Sequence, residues 1–135
     1  MRSILILVLL IFVVVIMGCS KNTLNTFTSE QINNPDSIEL PIDTSDEAIS
    51  YSLSLSQVQD RLNTPLDENM DKYNQYDWWS RAHQSEMLQE GQIVWIVDWF
   101  KGPGECQSPF GCQILIGSDG TILRDIQCSD GYNCK

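Results

Sequence analysis

The chain has 135 residues, 8 of them basic and 18 acidic, for a formal net charge of −10. That balance excludes nonspecific nucleic-acid binding, which depends on Lys and Arg neutralising phosphates. It leaves an acidic surface that favours solubility and basic partners, on a chain long enough for one domain.

Met1 to Gly18 is not domain structure. A cationic start at Arg2 is followed by 14 unbroken apolar residues, Ile4 to Met17, and then Gly18-Cys19. A membrane-spanning helix needs roughly 20 residues, so residues 1–18 read as a cleaved secretory signal. Ile16-Met17-Gly18-Cys19 resembles the lipobox of bacterial lipoproteins. The resemblance implies that the Cys19 thiol is acylated and becomes the first residue of the mature protein, and that Ser20 directs it to the outer membrane. Acyl chains at ~0.8 kcal/mol per buried methylene would make membrane lipid the first partner. Cleavage removes Arg2 and no acid, which takes the net charge from −10 to −11.

Residues 19–45 are rich in Asn, Thr, Ser and acid, with Pro35 and Pro41 and no apolar period. They read as a flexible tether, spanning roughly 25 to 30 Å as a coil. Residues 46–135 form the one domain, small enough to bury only about 60 to 65% of its unfolded surface.

Thr44 and Glu47 fit a capping box, and a helix starting there would turn Ala48, Ile49 and Leu53 to a core. Ser54 with Gln57 is a second such box, with Leu53 and Val58 as its hydrophobic staple. A helix from about 55 to 62 follows, closed by Asn63 in the left-handed conformation and by Pro65. Residues 66–92 are polar and acidic around Tyr73, Tyr76, Trp78 and Trp79, and Asp77 is placed to cap a helix over 78–90 that ends at Gly91.

Gln92 to Phe100 is dense in β-branched and aromatic residues, with Ile93, Trp95, Val97 and Trp99 on one face, and reads as a strand. Gln113–Ile116 and Thr121–Gln127 read as a hairpin turning at Asp119-Gly120. The predicted fold is therefore α+β, two short helices packed on a three-stranded antiparallel sheet.

These residues resemble the BamE family, also called SmpA/OmlA, of small outer-membrane lipoproteins. The resemblance is carried by Ser52-Leu53-Ser54, Gln57-Val58 and Leu62-Asn63-Thr64-Pro65, then by Trp95–Phe100, Pro103-Gly104, Ile114–Ile116 and Asp119-Gly120. It covers about 60 residues and implies two helices on a three-stranded sheet. Ser52 and Asn63 stand where the family has glycine, residues 66–92 are longer than its link, and the family lacks the four further cysteines. These departures describe a divergent member.

With Cys19 acylated, Cys106, Cys112, Cys128 and Cys134 remain, and an even count in an exported protein means disulfides. Their equal C-x5-C spacings slightly favour local pairs, 106 with 112 and 128 with 134. Position on either side of the hairpin allows 112 with 128 and 106 with 134. Zinc pairs are spaced more tightly, and no C-x2-C redox pair occurs. We therefore expect no metal, no cofactor and no catalytic residues. His83, the single histidine, has no recognisable nucleophile beside it and is expected on a helix surface. Asp67, Glu68, Asp71 and Asp77 read as a solvated loop, lacking the regular calcium spacing. Trp78 and Trp79 are candidate partner contacts, or fill space between helix and sheet. Lys101 falls where the family carries a basic residue facing lipid or partner.

The expected function is that of a non-enzymatic outer-membrane lipoprotein, lipid-anchored and facing the periplasm. It would act through contact with an envelope protein, supporting envelope integrity or outer-membrane protein assembly. The alternative is an inhibitor of a cationic hydrolase such as lysozyme, suggested by small size, acidity, disulfides and the anchor.

Overall fold

The computed structural model describes residues 25–85, 91, 93–103 and 110–130. In chain order these form β1 (Asn25–Phe27), α1 (Ser29–Asn33), α2 (Ser45–Ser54), α3 (Ser56–Asn63), a 3-10 turn (Asp71–Tyr73), β2 (Trp78–Gln84), β3 (Val94–Lys101), β4 (Phe110–Gly117) and β5 (Ile122–Asp130). The strands make one sheet in the order β1-β2-β3-β4-β5, every neighbour antiparallel. The three helices pack on one face of it.

The α+β class holds, but the sheet has five strands rather than the three expected from the sequence and from the family resemblance. Both extra strands come from segments given other roles. β1 lies in the stretch read as tether, and β2 replaces the helix predicted over 78–90. Along β2 the inward residues are Trp78, Ser80 and Ala82, while Trp79, Arg81 and His83 point the other way. That alternation is a strand's period of two. It was masked by the good helix formers that follow it in the sequence, Gln84 to Glu90.

Residues 25–45 are also more than a tether. Ile32 and Ile42 are buried in the core, Thr28 and Gln31 form a capping box for α1, and Asn63 Nδ2 bonds Asn33 Oδ1 at 2.8 Å, fastening α1 to α3. Between these anchored parts, 34–41 lie in no helix or strand and are largely exposed.

The predicted start of α2 is confirmed in detail. Thr44 Oγ1 accepts from Glu47 N at 3.2 Å, and Glu47 Oε2 accepts from Thr44 N at 3.0 Å and from Asp43 N at 2.8 Å. Ala48, Ile49 and Leu53 face the core. The second predicted box is not formed: Ser54 Oγ turns back to donate to the Tyr51 carbonyl, and α3 starts after Leu55 with no side-chain cap. Leu53 and Val58 are nonetheless both buried, so the apolar half of that signal was sound. α3 continues through Asn63 and ends at Thr64, φ −78° and ψ 124°. That is the extended conformation a following proline imposes.

Helices and sheet are clamped by three indoles. Trp95, Trp99 and Trp78 are buried, and each Nε1–H donates to a different part of the helical layer. The acceptors are the Ile42 carbonyl at 3.1 Å, Ser52 Oγ at 3.2 Å and the Leu62 carbonyl at 3.0 Å. Each ring brings a large apolar area into the core while its polar edge remains satisfied. The β4–β5 hairpin turns as predicted, with Gly120 at φ +83°.

Candidate functional site

Residues paired across the sheet share a face. Trp95, Val97, Trp99, Cys112, Ile114 and Ile116 point to the helices and join their buried residues in a single core. The opposite face carries Trp79, Arg81 and His83 from β2, Ile96, Asp98 and Phe100 from β3, and Gln113 and Leu115 from β4. No residue of this second set belongs to that core cluster.

The outward face is organised around Asp98. Its side chain is 1% exposed, a position where a carboxylate is tolerated only if its oxygens are engaged. They are. Arg81 Nε lies 3.0 Å from Oδ2, and Gln113 Nε2 donates to Oδ1 at 2.8 Å. His83 Nδ1 sits 3.9 Å from Oδ2, its own side chain 51% exposed. Ser80 Oγ reaches the Asp98 carbonyl from the core side at 3.1 Å. Arg81 also lies over the Phe100 ring, 6.0 Å from its centroid, within cation–π range. A fixed charge pair flanked by aromatic rings results, with the one histidine at its rim. Of this group Trp79, Arg81 and His83 reach the surface, whereas Asp98 and Phe100 are buried beneath them.

The candidate pair Trp78 and Trp79 is divided by the strand. Trp78 is a core residue, its ring in edge contact with Phe110 at 6.1 Å and its outer side covered by Lys101 Nζ at 5.1 Å. Trp79 is partly exposed on the outward face, which leaves it as the member of the pair able to meet a partner. His83, expected on a helix, lies on β2. Asp98 and Gln113 were not singled out in the sequence. The available signal was a lone acid inside an apolar strand, which signals a buried partner across the sheet.

Lys101 lies in a shallow cleft at one end of the sheet with Tyr76, Asp77 and Asn63. Partial burial holds its ammonium pKa below the usual lysine value, with Asp77 acting in the opposite direction. Asp67, Glu68, Asp71 and Asp77 are exposed around the same end.

The disulfide is not one of the favoured local pairs. Cys112 on β4 and Cys128 on β5 stand directly opposite in the register and are bonded, because antiparallel pairing brings together residues that the local spacing holds apart. Arg61 Nε lies 3.2 Å from Cys128 Sγ. Cys106, Cys134 and Cys19 lie outside the described residues, as does the signal segment 1–18. Among the described residues no group of three or more His, Cys, Asp or Glu side chains is placed to hold a metal ion, and no helix is long and apolar enough to cross a membrane.

Comparison with protein-family models, with curated proteins and with solved structures finds no match.

Proposed function

We propose that this chain is a lipid-anchored protein of the bacterial outer membrane that acts by contact with another envelope protein, supporting envelope integrity or outer-membrane protein assembly. The contact surface in this reading is the outward face of the sheet. The observation that carries it is the group Trp79, Arg81, Asp98 and Gln113: an aromatic side chain beside a charge pair held rigid by the strands. Aromatic and arginine side chains set in a fixed frame are the usual anchors of protein interfaces, and a rigid frame lowers the entropy lost on binding. The leader ending at Cys19 supports the location, and the family resemblance supports the assembly role.

Residues 66–92, longer than the family's link, include β2, so deleting them would remove the sheet's second strand. Point substitution is the sound test. A tagged full-length chain is crosslinked in its own cells, and captured proteins are identified by mass spectrometry. Trp79→Ala should weaken capture by roughly 30-fold, the equivalent of a hot spot of about 2 kcal/mol. Recovery of barrel-assembly components would support the assembly role. Capture that is unchanged by Trp79→Ala and by His83→Ala would remove the outward face from consideration.

A further inference from the structure

Among the described residues three large apolar side chains are exposed: Leu40, Ile93 and Ile122, at 51, 37 and 39%. Distant in sequence, they all lie around the β4–β5 turn. Ser118 N donates to the Ile93 carbonyl at 2.9 Å. Leu40 Cδ1 lies 3.2 Å from where a Cβ on Gly120 would stand. Ile122 follows two residues later, opposite Ile116. The backbone here is well tied: Ile42 N donates to the Ser118 carbonyl at 2.8 Å, Gly117 N to the Thr121 carbonyl at 2.8 Å, and the Tyr51 hydroxyl to the Gly120 carbonyl at 2.9 Å. The three side chains are therefore presented by a fixed tip and are not trailing from a loop.

The direction of β1 relates this tip to the start of the chain. Asn25 pairs with Ser80 and Phe27 with Trp78, so β1 runs away from the tip and its first residue is the end nearer to it. From Ser80 to Gln84 is four residues of β2, about 13 Å at ~3.3 Å per residue. From Asn25 back to Cys19 is six residues, at most ~20 Å when extended. A lipid on Cys19 can thus lie level with the tip. It can also reach the opposite end of the sheet, but there the rim is Asp67, Glu68, Asp71, Asp77 and Asp130, all exposed, and carboxylates resist leaving water. At the tip the exposed acids are fewer: Asp119, whose Oδ1 accepts from Thr121 N at 3.0 Å, and Glu39 beside Leu40.

We propose that this tip rests on the bilayer that holds the Cys19 lipid, with Leu40, Ile93 and Ile122 entering the boundary between headgroups and acyl chains. The inference rests on the lipid-anchor reading above. One acyl-bearing residue and a small apolar patch act together here, each supplying part of a membrane affinity that neither needs to supply alone. The domain then stands with its acidic end away from the lipid and its outward sheet face running upright, open to a neighbour in the same membrane.

The test places p-benzoylphenylalanine in turn at Leu40, Ile93, Ile122 and, as the distal control, Asp67, in the full chain expressed in its own cells. After irradiation the intact protein is weighed, which reports Cys19 acylation and any photoadduct together. Lipid adducts at the three tip positions, at least fivefold above Asp67, are the expected result. An acylated Cys19 with no lipid adduct at the tip, or with protein adducts in their place, overturns the docking and leaves the anchor standing. An unacylated Cys19 overturns both.

Discussion

Trp99 on β3 donates its indole N–H to Ser52 Oγ on α2 at 3.2 Å, and Ser52 donates in turn to the Ile49 carbonyl at 2.7 Å. The Ser52 hydroxyl thus ties one of the three core tryptophans to α2 by a bond made from side chain to side chain. Ser52→Ala leaves the buried indole N–H without an acceptor, a loss of about 1 to 3 kcal/mol. Urea denaturation should show it as a lower midpoint at unchanged slope. In Trp99→Phe the same serine substitution should cost clearly less, and equal cost in both backgrounds would mean the hydrogen bond contributes nothing.

The cap of α2 should make stability depend on pH in the acid range. Backbone N–H groups of Asp43 and Thr44 bond the Glu47 carboxylate and hold its pKa below the usual carboxylate value. For an acid whose pKa is lower in the folded than in the unfolded chain, the contribution is complete above the unfolded value. It is lost as pH falls through the folded one. Stability should therefore decline below about pH 4.5, the ordinary glutamate value. Glu47→Gln keeps an acceptor without the charge, and should flatten that part of the profile. Thermal melts between pH 3 and 7 would show it, and parallel profiles for the two proteins would rule this cap out as the source.

The bond between Cys112 and Cys128 closes a sequence separation of 16. Removing that loop constraint from the unfolded chain is worth about 3 kcal/mol in the chain-entropy model. The Cys112→Ser, Cys128→Ser double variant should lose roughly that amount in denaturant. Non-reducing peptide mapping of the unaltered protein should recover the 112–128 peptide pair. Recovery of 106–112 and 128–134 pairs would contradict the register described here.

Gly120 combines a φ of +83° with a site at which an added Cβ would lie 2.7 Å from the Tyr51 hydroxyl oxygen. Gly120→Ala therefore faces backbone strain and a clash together, and should cost about 1 to 3 kcal/mol. Tyr51→Phe relieves part of the clash, so the alanine variant should be less costly in that background. A purely conformational cost would leave the two values equal.

Most of what local patterns encode was legible. The Thr44–Glu47 box, the apolar face of α2, the β3 core face from Trp95 to Trp99 and the Gly120 turn all depend on neighbours a few residues away. β1 was not legible, because three residues, Asn25 to Phe27, carry no periodicity and become a strand only by pairing with residues more than fifty positions later. β2 was misread since Trp78 to His83 alternate for only six residues before a helix-favouring run. At the candidate site Trp79 was visible as half of an aromatic pair, but which half faces outward is fixed only by strand direction. The grouping of Asp98 with Arg81 and Gln113 is set by register across three strands, and no spacing along the chain encodes that.

The order of strands in space matches their order in the chain, yet the connections are unequal. β2 to β5 follow one another through hairpins, whereas α1, α2, α3 and the 3-10 turn all lie between β1 and β2. Closing that long loop before its pairing is rewarded is slow. Synthesis from the N-terminus delivers β1 first and its partner β2 much later. The segment that emerges first is then the last to dock, and until it does the unpaired edge of β2 is available to chaperones or to a second chain.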